Sequence, residues 1–215
     1  MNYKEVIDNI RDLGFSDDAE MEEFGDVIPN SINRAITKLN LSVAPIIEKL
    51  EFDIDDTEDG YLYIVMPEED TNFLDFAETP VLYAETHYIT ENGVQTTKQT
   101  QRYKKFNKYE IESNNTVVIN VDELGIGKDS SMSFRIFYKA AHDPFVWTEE
   151  RLTEEVPLPL KVHHLVPLLA SYYVWLEDEP TKAAQYYNDY DSAVTEVLNA
   201  SSENLPRISI LTGGI

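Results

Sequence analysis

The sequence predicts an α+β fold: helices from the two ends of the chain form a bundle, and an antiparallel β-domain is inserted between them. Three observations carry this. Apolar residues recur at helical spacing over residues 3–39 and again from about residue 160. Between about 47 and 141 the period drops to two and the residues become β-branched and aromatic. Asn92-Gly93, flanked by "THYIT" and "VQTT", is the dipeptide a two-residue hairpin favours, because both positions tolerate positive φ. The expected divisions are residues 1–46 as N-terminal helices, 47–150 as the inserted antiparallel β-subdomain, 151–199 as a C-terminal helical hairpin completing the bundle, and 200–215 as an extended C-terminal tail.

The elements follow in order. Tyr3, Val6, Ile7, Ile10 and Leu13 make the stripe of a first helix, and Gly14 is placed to end it with a left-handed residue. Asp17 or Asp18 caps a second helix, whose stripe is clearest at Ile28, Ile32, Ala35, Ile36 and Leu39, with Pro29 a point of division. The strand candidates are "YLYIVM" (61–66), "PVLYAETHYIT" (80–90), "NTVVINV" (115–121) and "SFRIFYKA" (133–140), enough for a small sandwich. Val162, Leu165, Val166, Leu169, Tyr172, Tyr173 and Leu176 then keep one helix face apolar, with Pro157 and Pro159 at or before its start. Pro180 suits the first position of the next helix, preceded by Glu177, Asp178 and Glu179, which complement its positive end. Its stripe is expected at Ala184, Tyr187, Tyr190 or Asp191, Val194, Val197 and Leu198.

The formal net charge of −23, from 40 acidic and 17 basic residues, opposes broad binding to nucleic acid or anionic membranes, which are themselves negative. At 42% hydrophobic and 11% aromatic, the chain is too apolar for an acidic disordered protein and is expected to fold. Without cysteine it has no disulfide, thiolate zinc site or cysteine nucleophile. No apolar run nears the roughly 18 residues of a membrane span, and no leader pattern opens the sequence, so a soluble protein is expected.

Candidate sites are few. Adjacent His163 and His164 diverge by about 100° on a helix and do not readily share a metal, so they are read as neutral, hydrogen-bonded histidines near a helix start. A site drawing on His87, His142 and His163 is the enzyme alternative, a metal hydrolase. "DIDDTEDGYLYIVM" (53–66) begins like a calcium loop, but Met66 stands where a bidentate glutamate is required. "KQTQRYKKFNK" (98–108) collects Lys98, Arg102, Lys104, Lys105 and Lys108 around Tyr103 and Phe106, a basic patch suited to a protein interface or a solvated face, and less to nucleic acid. "GIGKDS" (125–130) lacks the spacer of a phosphate loop and reads as a turn. Nucleophile-elbow, Walker, dinucleotide and HExxH patterns are missing, so no catalytic residue, metal or cofactor is expected.

Two stretches carry a resemblance. "YKEVIDNIRDLGF" with "DVIPNSINRAITKLN", and "VPLPLKVHHLVPLLASYYVWLEDEPTKAAQYYNDYDSAVTEVL", are similar to the opening helices and closing hairpin of head-tail connector proteins of tailed bacteriophages, also called adaptors or head completion proteins. The resemblance implies a non-enzymatic virion protein of the neck, made in the host bacterial cytoplasm. It implies a homo-oligomeric ring, a dodecamer, between the capsid portal and the tail or stopper proteins, with double-stranded DNA passing through its lumen as non-specific cargo. It also implies a tail reaching the portal through Arg207, Ile208, Ser209, Ile210 and Leu211, where "RISIL" alternates as a strand for a partner's sheet edge. A tail terminator or other neck protein, and an acidic module binding a basic host protein, are the alternatives.

Overall fold

The computed structural model describes residues 1–54, 60–66, 72–77, 82–88, 104–106, 108–113, 115–120 and 130–203. They contain six helices and two antiparallel sheets, an α+β fold. The chain divides into a helical unit, Met1–Pro45 with the described residues from His142 onward, and a β unit, Ile46–Ala141. Residues 142–150 therefore belong with the helices, although the expected bounds of the β-subdomain, 47–150, include them. Asn33 explains why: its amide donates to Phe145 O at 2.9 Å and accepts from Phe145 N at 2.7 Å, tying this segment to a helix.

In the helical unit, α1 (Tyr3–Gly14) starts at a capping box, in which Asn2 Oδ1 accepts from Glu5 N and Glu5 returns the bond to Asn2 N. Asp17 caps α2 (Asp18–Glu23), accepting from Glu20 N. The chain breaks at Phe24–Asp26 and restarts as α3 (Val27–Ser42), so Pro29 lies in the first turn, where a missing amide proton is harmless. After the short α4 (Glu149–Leu152) a 3-10 turn, Leu160–Val162, leads to α5 (Leu165–Trp175). Pro180 begins α6 (Pro180–Glu203), which runs into the region expected to be extended from residue 200.

α5 packs against α1, α3 and α6, and this overturns its reading as one-sided. Leu165, Val166, Leu169, Ala170, Ser171, Val174 and Trp175 are buried around the helix, while Tyr172, Tyr173 and Leu176 are only half-buried. A helix enclosed on several sides is apolar all round. The stripe of α6 also moves by one residue: Ala183, Tyr186 and Tyr190 are buried, whereas Ala184 and Tyr187 are exposed.

The β unit contains more strands than the alternation revealed. β1 (Ile47–Ile54), β3 (Phe73–Phe76), β5 (Lys104–Phe106) and β6 (Glu110–Ser113) join β2 (Tyr61–Val65), β4 (Leu82–Tyr88), β7 (Thr116–Asn120) and β8 (Ser130–Ala140). One sheet runs β1-β8-β4-β5, with β3 also on β8; the other runs β2-β7-β6. β8 organises the first, pairing along its length with β1 and on its other edge with β4 and then β3. Its alternate residues Phe134, Ile136, Tyr138 and Ala140 meet Ile64, Met66, Phe76, Val117 and Ile119 in one core drawn from both sheets. β1 is rich in charge, and two of its glutamates find register partners: Glu51 faces Arg135, whose Nε donates at 2.6 Å, and Glu48 faces Tyr138, whose hydroxyl donates at 2.8 Å.

Candidate functional site

The side chains with most potential for recognition lie on α5 and on the two helices packed against it, α3 and α6. Asn30, Asn33, Arg34 and Thr37 share one face of α3 through their spacing of three and four. With Tyr173 of α5 they line a surface pocket of about 490 Å³. The Arg34 guanidinium carbon lies 4.1 Å from the centre of the Tyr173 ring, a cation–π stack. Burial raises the Tyr173 hydroxyl pKa above its ordinary value, and the arginine charge works against that rise.

A chain of rings continues from this stack. Tyr173 meets Tyr172 at 5.0 Å, Tyr172 meets Tyr187 at 5.1 Å, and Tyr187 meets Tyr190 at 5.9 Å between centroids. Tyr190 anchors the row inside, while Tyr187 is 45% exposed. The row thus passes from core to surface, offering aromatic area that is already held in place.

Two supports fix this face. Asn33 holds the backbone of Phe145, and His142 Nε2 lies 3.4 Å from the same Asn33 oxygen; burial lowers the His142 pKa against the opposing pull of Asp143. At the other end α6 grips the C-terminus of α1. Lys182 Nζ donates to Gly14 O at 2.6 Å while lying 3.2 Å from the Trp175 ring centre, and the Tyr186 hydroxyl donates to Leu13 O. These are carbonyls a helix end leaves unpaired. Gly14 is required for space and not for a left-handed turn: it is the last residue of α1, and a Cβ there would lie 2.5 Å from Trp175 Nε1.

The histidines separate. His163 is buried, with Nε2 2.6 Å from Leu158 O and Nδ1 3.1 Å from the Met1 nitrogen, while His164 is exposed. Nε2 donates to the carbonyl and Nδ1 is left as acceptor, which places His163 in the packing of the 3-10 turn. Among the described residues no group of three or more histidine, aspartate or glutamate side chains is placed to hold a metal ion. No helix there is long and apolar enough to cross a membrane.

Of the basic stretch, Lys104 and Lys105 fall in β5, opposite Ala84 and Tyr83, and Lys108 is exposed. Lys98 and Arg102 lie outside the described residues, as do Asn92-Gly93 and the tail residues Arg207, Ile208, Ser209, Ile210 and Leu211. The pairing of Arg34 with Tyr173 escaped sequence reasoning. Its only local signal was the spacing of Asn30, Arg34 and Thr37 on the polar side of α3, since the tyrosine comes from a helix more than a hundred residues away. No protein-family model matches the chain, and no curated protein matches it.

Proposed function

We propose that the chain is a structural subunit of a head-tail connector ring in a tailed bacteriophage, joining the capsid portal to the tail without catalysing a reaction. One observation supports this above the others. The three connector-like segments, residues 3–15, 26–40 and 156–198, fold into a single helical unit although the β unit separates them in sequence. A ring subunit needs different surfaces on its two sides, because head-to-tail contacts close a ring only when complementary patches are distinct. The tyrosine and arginine face of α3, α5 and α6 has the composition of such a patch.

The net charge of −23 supports the same reading. A wall of carboxylates repels the phosphate backbone, so a duplex passes without adhering, and screening limits that field to about 8 Å at physiological ionic strength. The tail, residues 204–215, is the segment we assign to portal docking through Arg207–Leu211.

The test is reconstitution on portal rings of the same phage. The full chain is expected to add a ring of density to the portal in electron micrographs. Removal of residues 205–215 should weaken that attachment and leave the circular dichroism spectrum unchanged. A chain that neither binds portal nor forms any ring in its presence overturns the proposal, and a truncated chain that binds undiminished overturns the role of the tail.

A further inference from the structure

We propose that the Arg34–Tyr173 pocket is a carboxylate receptor, occupied by an acidic side chain of a second copy of this chain. This deepens the connector reading and rests on it, since it names a contact between neighbouring subunits.

Arg11 is held by Asp8 at 3.4 Å and Asp12 at 3.3 Å, Arg151 by Glu154 at 2.6 Å, and Arg135 by Glu51. Among the described residues Arg34 has no carboxylate within 4.0 Å. In a chain with 40 acidic residues this is a local exception with a local cause: α3, VIPNSINRAITKLNLS, contains no aspartate or glutamate, so no helical neighbour can neutralise it.

The guanidinium nevertheless has a partner in the Tyr173 ring. Its carbon lies over the Tyr173 ring, and a guanidinium presents N–H donors in a fork that matches a carboxylate with paired bonds. Asn33 is committed to Phe145 and the Asn30 amide donates to Asp26 O at 3.0 Å, while Thr37 brings a further polar group to the same pocket. Tyr172 and Tyr187 adjoin through their ring contacts, and arginine and tyrosine are among the residue types enriched in the hot spots of protein interfaces. Charge complementarity selects the occupant. A second copy presents many exposed carboxylates, including Glu177, Asp178 and Glu179 at the turn before α6, whereas nucleic acid is opposed by the net charge of −23.

Two measurements on the full chain test this. Sedimentation velocity over a concentration series should show self-association that Arg34→Ala weakens at least about tenfold, with Arg34→Lys retaining part of it. Carbodiimide treatment of a mixture of ¹⁴N- and ¹⁵N-labelled Arg34→Lys protein should then yield mixed-isotope peptides joining position 34 of one copy to an aspartate or glutamate of another. Circular dichroism of both variants should match the parent; if Arg34→Ala fails to fold, the cross-link alone decides. If the chain self-associates equally with and without Arg34, and no mixed-isotope product forms at position 34, the receptor is refuted while the ring stands. If the chain stays monomeric and position 34 cross-links only to portal carboxylates, the second-copy occupant is refuted and portal binding is tested separately.

Discussion

α5 of the helical unit and β8 of the β unit each organise a core, but they bury their residues differently. α5 is buried on most of its circumference, down to Ser171 and Trp175 Nε1, which have no hydrogen-bond partner. β8 buries alternate residues, Phe134, Ile136, Tyr138 and Ala140, and leaves Arg135 and Lys139 half-exposed to pair with Glu51 and Asp75. The difference extends to polar chemistry. In the β unit polar contacts join register neighbours, so strand pairing determines them. In the helical unit, besides local caps and ion pairs, some join distant segments, as with Lys182 to Gly14 and Asn33 to Phe145. The helical unit can therefore hold an ordered cation and a row of tyrosines on its surface, because its interior fixes their positions.

Core truncation should break this comparison most severely. Phe134→Ala in β8 is expected to cost about 3–5 kcal/mol and Leu169→Ala in α5 about 2–5 kcal/mol, read from chemical denaturation, since both side chains are almost fully enclosed. A loss below about 1 kcal/mol for Leu169→Ala would mean that α5 is not the enclosed centre of its unit.

Alkaline titration comes next. Burial pushes the Tyr3 hydroxyl up to about 12, with Arg151 opposing the rise. The folded state keeps this proton while the unfolded state releases it near pH 10, so the stabilising contribution is complete below about pH 10 and disappears as pH rises toward 12. The expected loss is roughly 2–3 kcal/mol over that window. Buried Tyr186 and Tyr190 are shifted in the same direction. Tyr3→Phe should flatten the profile, and an unchanged profile would contradict the burial of Tyr3 against Phe145, with ring centres 4.3 Å apart.

Gly14→Ala sharpens the contrast at the grip of α6 on α1. Alanine favours a helix by roughly 0.5–1 kcal/mol over glycine. Here the added methyl meets the Trp175 ring, so net destabilisation of about 1–3 kcal/mol is expected in thermal unfolding.

The histidines give an unequal pair of effects, one of them the smallest expected. His163→Ala should cost about 1–3 kcal/mol because it deprives a buried carbonyl of its donor. His164→Gln should stay within about 0.5 kcal/mol, as an exposed change with no partner lost. Equal effects in urea titrations would erase the distinction between the two neighbours.

Local chemistry was legible in the sequence wherever a short-range rule governed it. Periods of 3.6 and two separated helical from strand regions, Asp17 announced a cap, and Pro180 marked a helix start. Those rules determined the α+β class. Tertiary structure alone decided what depended on distant partners. In α6 the adjacent pairs Ala183-Ala184 and Tyr186-Tyr187 offer two nearly equal stripes, and the choice falls to the end of α1, where Leu13 and Gly14 present open carbonyls to Tyr186 and Lys182. β1 is strand because β8 pairs with it along its whole length, with Arg135 opposite Glu51 and Tyr138 opposite Glu48, which no propensity of IEKLEFDI conveys. Arg34 meets Tyr173 because α3 and α5 pack together. Helical spacing reports which residues share a face, but only packing decides what that face meets.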